Sequence, residues 1–240
     1  MGAIDSKVVY EMVNRREVYR YLGIQGQMPD QSVCALVEEV LLELMQCMEP
    51  RTIYKVYDCD SVVDKLDKQR ADTGLVKLYY AKQENPVMVI KSRNLADNLY
   101  QCTKVVLMAA TLGVNVDKLL QRYEIIHMAK ASIAQACGAA CIEACCNLLQ
   151  EQIRQQAAQQ GLYLRPRFSA GYGDLPLETQ KDIFAQLECT KRIGLTLTQS
   201  LLMLPTKSVT AFIGITENHQ GCYIGKCASC NKVDCAFREM

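Results

Sequence analysis

The chain has 240 residues, 50% of them hydrophobic and 22% charged, and its 27 Lys and Arg against 26 Asp and Glu leave a net charge of +1. This is ample apolar material for a buried core and too little charge imbalance for disorder, and without a basic excess there is no electrostatic footprint for nucleic acid. The longest apolar run, VVLMAATLGV at 105–114, is too short to cross a bilayer, and MGAIDSKVV carries no basic-then-apolar export signal, so a cytoplasmic protein with no membrane partner is expected.

Asn14 followed by Glu17 predicts a capped short helix that Gly23 ends. Pro29 and Asp30 introduce a longer helix, in which Val33, Leu36, Val37, Val40, Leu41, Leu44, Met45 and Met48 form one apolar stripe up to Pro50. TIYKVYD at 52–58, LVKLYYA at 75–81 and VMVI at 87–90 are rich in β-branched and aromatic residues and predict strands. Ser92 caps a helix through Tyr100, KVVLMAATLG predicts a buried strand, VDKLLQRY a helix, and residues 128–158 a long helix rich in Ala and Gln. A helix near 177–188 and strand-like runs at 195–203 and 208–216 complete the pattern, which shows no repeat and no low-complexity linker. The reading is one α+β domain over residues 1–216, followed by a Cys-rich tail over residues 217–240.

Thirteen cysteines without an export signal read as reduced thiols or metal ligands. Cys137, Cys141 and Cys145 recur at helical spacing beside Gly138 and several alanines, a small-residue face that lets another backbone approach and is read as packing. Cys222, Cys227, Cys230 and Cys235 instead follow the spacing C-x4-C-x2-C-x4-C, close enough in sequence to surround one metal ion. That spacing matches neither common ferredoxin pattern, so iron-sulfur, zinc and free thiols all stay open.

Several chemistries are excluded. Arg167 stands where a nucleophile elbow needs glycine before Ser169, GYG at 171–173 lacks the third glycine of a dinucleotide fingerprint, and no phosphate-cradling loop is present. His127 and His219 form no zinc-protease pair. A charged and aromatic loop remains: RPRFSAGYGDLP at 165–176, whose glycines and prolines fit neither helix nor central strand.

That loop resembles a known signature. Arg167-Phe-Ser-Ala-Gly171-Tyr172 with Pro176 is similar to the Arg-Pro-x-x-Gly-Tyr motif of the activation domain of cobalamin-dependent methionine synthase. IGLTLTQSLLMLPTKSV at 193–209 resembles that family's second motif at matching spacing, and Glu143 falls where the family carries a helical glutamate. The resemblance spans roughly residues 92–215. It departs at Ser169 for alanine, Gly173 for proline and Gln199 for glutamate, and Ile215-Thr216 stands near the place of a His-Pro pair.

The resemblance implies a twisted, mostly antiparallel sheet flanked by helices. It also implies binding of S-adenosylmethionine, with Arg167 forking onto the carboxylate, Glu143 accepting from the ammonium, Ser169 offering main-chain groups to the adenine, Gly171 admitting the backbone and Tyr172 near the sulfonium. No side chain is expected as a catalytic acid or base, because the cobalt of a cobalamin on the partner is the nucleophile. The implied partners are a cobalamin-binding methyltransferase, such as a methionine synthase lacking its own activation domain, and a flavodoxin-like or ferredoxin-like electron donor. Two other readings stay open on the sequence. One is a corrinoid-protein binding module without S-adenosylmethionine chemistry; the other is a metal or iron-sulfur redox protein built around the tail.

Overall fold

The computed structural model describes residues 2–24, 29–63, 74–81 and 83–219. In chain order the elements are β1 (Gly2–Ala3), α1 (Ser6–Met12), α2 (Arg15–Tyr21), α3 (Gln31–Cys47), β2 (Arg51–Val63), β3 (Gly74–Tyr79), β4 (Met88–Lys91), α4 (Arg93–Asn98) and β5 (Lys104–Thr111). They continue with α5 (Val114–Ile126), α6 (Met128–Ala158), β6 (Tyr163–Leu164), α7 (Thr179–Leu187), α8 (Cys189–Ile193), β7 (Thr196–Leu197), β8 (Met203–Leu204) and β9 (Ser208–Thr216). The fold is α+β, with a sheet of order β4-β3-β2-β5-β9-β6, β1 pairing with β2, and a separate β7-β8 hairpin. Described ladders such as β2-β3 and β3-β4 are antiparallel, as expected.

The chain divides into two compact units, each drawn from three separated stretches: residues 1–53, 109–151 and 188–209 in the first, and residues 54–108, 152–187 and 210–240 in the second. In the first unit, α3 packs against α1 and α5. The Asp30 carboxylate accepts from the Ser32 N–H at its start, and Val37, Val40, Leu41 and Leu44 of the predicted stripe are fully buried. Each such side chain contributes about 1.5–3 kcal/mol by leaving water. Asn14 caps α2 through the Arg16 N–H, while Glu17 pairs with Arg20 instead of reaching back to close a capping box. Arg15 binds Glu38 of α3 through Nε at 3.0 Å and Nη2 at 3.2 Å, and Tyr10 adds its hydroxyl at 3.2 Å.

Residues 195–203, expected as a strand, form something tighter. Gly194 turns left-handed at φ 68° to end α8, and β7 and β8 are two residues each. Between them the Thr198 hydroxyl accepts from the Leu202 N–H at 3.0 Å while Leu201 sits at φ 64°. A threonine that bonds nearby backbone breaks a ladder into a turn. After Pro205, Thr206 donates through N and Oγ1 to the Asp117 carboxylate at 2.8 and 2.6 Å, and the Ser208 hydroxyl meets Thr111 at 2.8 Å.

Gly138 serves a different neighbour from the one its sequence suggests. A Cβ there would lie 2.9 Å from the Cε of Lys207, so the small face of α6 makes room for the stem of a lysine and not for a second backbone. Lys207 Nζ then reaches the Gln135 carbonyl at 3.1 Å. Cys137, Cys141 and Cys145 are buried, as packing residues should be. Burial pushes the Cys141 and Cys145 thiols up to about 12. Although α6 is long and apolar enough to span a membrane, 67% of its apolar stretch is buried within the fold.

In the second unit, α4 packs on β3, where contact is very close. A Cβ on Gly74 would stand 2.6 Å from both the Arg93 Cα and the Ser92 carbonyl oxygen. Leu95, Ala96 and Leu99 of this region are fully buried.

Candidate functional site

The loop singled out in the sequence belongs wholly to the second unit and grows out of the edge strand β6. Tyr163 pairs with Thr216 and Leu164 with Ile215, and the Arg165 N–H continues to the Gly214 carbonyl at 2.8 Å. The next closed pair is Phe168 with Phe212, joined by two backbone bonds of 2.9 and 2.8 Å. Between these pairs Arg165, Pro166 and Arg167 face only Ile213 and Gly214, one residue more than the partner strand supplies. That extra residue is a β-bulge, which tolerates the missing donor of Pro166 and re-aims the side chain that follows. Arg165 turns inward, 9% exposed, and donates to the Tyr100 carbonyl at 3.0 Å, whereas Arg167 is only half-buried. The bulge therefore lies between a buried arginine and a half-buried one.

Beyond Phe168 the chain turns twice. The Tyr172 N–H bonds the Ser169 carbonyl at 3.2 Å, the Leu175 N–H bonds the Tyr172 carbonyl at 3.0 Å, and the Gly171 N–H returns to the Leu175 carbonyl at 3.0 Å. Ala170 and Leu175 are buried under the loop, while the Tyr172 ring is 68% exposed at its tip. Gly171 has φ +88°, and a Cβ there would lie 3.2 Å from Leu177, so the fold itself requires glycine at this point.

Sequence reasoning missed the contact that ties this loop down. The Asp174 carboxylate accepts from the Ser92 hydroxyl at 2.5 Å, the Arg93 N–H at 2.7 Å and the Asn94 N–H at 3.1 Å, and the Asp174 N–H donates to Asn94 Oδ1 at 3.2 Å. Burial works to raise the Asp174 pKa, but these donors together outweigh it and hold the carboxyl below its ordinary value. Glycines and prolines mark 165–176 as a loop and Ser92 predicts a helix cap, but nothing local says that the two meet.

Four of the five predicted ligand residues, Arg167, Ser169, Gly171 and Tyr172, thus lie on one continuous loop. Glu143 belongs to the first unit, half-buried on α6 among buried Cys141, Ile142, Ala144 and Cys145. Cys222, Cys227, Cys230 and Cys235 lie outside the described residues, and among the described residues no group of three or more His, Cys, Asp or Glu side chains is placed to hold a metal. A depression of about 240 Å³ next to the loop is lined by Val89, Ile90 and Lys91 of β4 with Pro176, Glu178, Thr179 and Asp182. It is smaller than the roughly 300–1,000 Å³ of a typical ligand cleft and includes none of the predicted ligand residues.

Residues 31–239 match the family model of the vitamin B12 dependent methionine synthase activation domain. The chain belongs to this family. The match reaches well upstream of residue 92, where resemblance by motif began, and takes in the cysteines at the C-terminal end. A crystal structure of the MetH reactivation domain bound to AdoHcy is similar at a TM-score of 0.66, with 17% identity over 89% of this chain and 77% of that one. Agreement at so low an identity is agreement of fold. No curated protein sequence matches the chain. The stretch 193–209, which resembles that family's second motif in sequence, forms the α8 end, the small hairpin and the Asp117-anchored turn, all in the first unit.

Proposed function

We propose that this activation-domain chain binds S-adenosylmethionine and presents its methyl group to the reduced corrinoid of a separate cobalamin-dependent methyltransferase, such as a methionine synthase, returning that enzyme to activity. The observation that carries the proposal is the loop from Arg165 to Leu175, which sets half-buried Arg167 and Ser169 beside Gly171 and the exposed Tyr172 on one continuous stretch of the second unit. Family membership supports it, as does the AdoHcy in the structurally similar MetH reactivation domain, since AdoHcy is S-adenosylmethionine without the methyl group.

The residues suit that ligand. The Arg167 guanidinium matches a carboxylate with paired donors. Ser169 offers main-chain groups to the adenine, Gly171 lets the backbone approach the ligand, and the exposed Tyr172 ring gives the sulfonium an electron-rich face. When bound, S-adenosylmethionine supplies an electrophilic methyl group, so this chain's own work is to bind and orient, with no side chain moving a proton. The electron that reduces the corrinoid comes from a flavodoxin-like or ferredoxin-like donor, and the reaction takes place in the cytoplasm.

Calorimetry with S-adenosylmethionine tests the reading. Arg167→Ala is expected to weaken binding by about 1.5–3 kcal/mol, the worth of a hydrogen bond to a charged group. Methyl-labelled S-adenosylmethionine with a cob(II)alamin-loaded methyltransferase and a reductant should give methylcobalamin faster with the chain than without it. No binding by the folded wild-type chain, or equal methyl transfer in its absence, refutes the proposal.

A further inference from the structure

We infer that Asp174 is the positioning residue of this ligand loop, clamping it to the first turn of α4; the inference rests on the S-adenosylmethionine reading for its functional consequence. The loop has two anchors. At one end Phe168 is fixed to Phe212 by paired backbone bonds, and at the other Asp174 takes three donors from Ser92, Arg93 and Asn94. The five residues strung between them, 169–173, include Ser169, Gly171 and Tyr172.

Of those five residues only Ala170 is buried. Tyr172 is 68% exposed, so its ring contributes little packing, and the backbone bonds within the turn are short-range. The far anchor is long-range in sequence, 82 residues from Ser92 to Asp174, and reciprocal, because Asn94 Oδ1 accepts the Asp174 N–H while the Asn94 N–H donates back. Its fit is close as well. Gly173 sits at φ +56°, and a Cβ there would lie 2.8 Å from Asn94 Oδ1. Ser92 is shared between the clamp and the helix, since its hydroxyl oxygen also accepts from the Leu95 N–H at 3.0 Å. The leading amides of α4 are thereby committed to Asp174 and not to a ligand anion. Asp174 acts on S-adenosylmethionine only through the loop, by keeping Gly171 and Tyr172 in one arrangement before the ligand arrives.

The test uses the full chain and two readouts, amide hydrogen exchange of the peptide covering residues 169–177 and S-adenosylmethionine affinity by calorimetry. Asp174→Ala is expected to speed exchange of that peptide about tenfold while β5 stays protected, and to raise Kd about tenfold as the competent loop falls to about a tenth of the population. Asp174→Asn should fall between Ala and wild type, because its amide oxygen can keep the Ser92 and Asn94 donors and loses the one from Arg93. Arg167→Ala should raise Kd without changing loop exchange, which separates a contact residue from a positioning one. Unchanged loop exchange in Asp174→Ala overturns the inference, and so does faster exchange with Kd unmoved. If the wild-type chain binds no S-adenosylmethionine, the ligand reading fails by itself, and the exchange measurement alone then decides whether Asp174 holds the loop.

Discussion

Gly214→Ala puts the packing behind the loop to a quantitative test. Gly214 lies in β9, where its carbonyl receives the Arg165 N–H, and an added Cβ would stand 2.5 Å from Cys102 Sγ, 2.9 Å from Leu99 Cδ2 and 3.0 Å from Arg165 Cγ. Leu99 and Cys102 are 0% and 5% exposed, so neither can move into solvent without leaving a void. Overpacking of this kind costs about 1–3 kcal/mol. For a chain of this size that lowers Tm by roughly 2–12 °C, at about 2–4 °C per kcal/mol. Thermal melts by circular dichroism measure it. The steric origin is tested by Cys102→Ala, which removes the nearest atom: in that background Gly214→Ala should cost less by at least about 0.5 kcal/mol. A Tm that does not move, or an equal loss in both backgrounds, refutes the packing argument.

Because Asp174 has its pKa lowered by folding, its contribution to stability is present above the ordinary Asp value near 3.9 and is lost as pH falls through the lower folded value. Melts taken across that acid window should therefore fall less steeply for Asp174→Asn than for wild type, and parallel curves would count against the clamp. Buried thiols at about 12 are ionised to roughly one part in ten thousand at pH 8, so mass-mapped alkylation should reach half-buried Cys34 well before Cys141, Cys145 or Cys189; labelling of those three at the rate of Cys34 would show the core to be open. The spacing of Cys222, Cys227, Cys230 and Cys235 leaves iron-sulfur, zinc and free thiols open, and a metal site there requires iron or zinc in anaerobically purified protein. Elemental analysis of anaerobic protein below about a tenth of an equivalent, unchanged by Cys230→Ser, removes that site.

What the sequence disclosed was what depends on near neighbours. The long helix at 128–158, the α3 helix between the Asp30 cap and Pro50, and the buried strand from Lys104 all carry their signals within a few residues. Glycines and prolines marked 165–176 as a loop for the same reason. The two units were invisible because each is assembled from three distant stretches, and four of the five divisions fall inside β2, β5, α6 and β9, where the chain has no reason to show a linker. The bulge at Arg165–Arg167 needs the register against β9, and the Asp174 clamp joins residues about eighty apart. The role of Gly138 was read as close backbone approach because glycine reports only that something is near; that it is Lys207 is a fact of the tertiary fold.

The departure at Gly173 then has a physical meaning. Proline, which the resembling signature carries at this position, is fixed near φ −65°, while Gly173 sits at φ +56°. This loop cannot follow the path a proline would impose, and the left-handed turn at Gly173 is what brings Asp174 onto the Ser92, Arg93 and Asn94 donors. Rigidity that a proline ring would supply within the loop is supplied here by a carboxylate fastened to a helix elsewhere in the chain. Gly173 and Asp174 adjoin: the left-handed residue directly precedes the one whose carboxylate accepts from Ser92, Arg93 and Asn94.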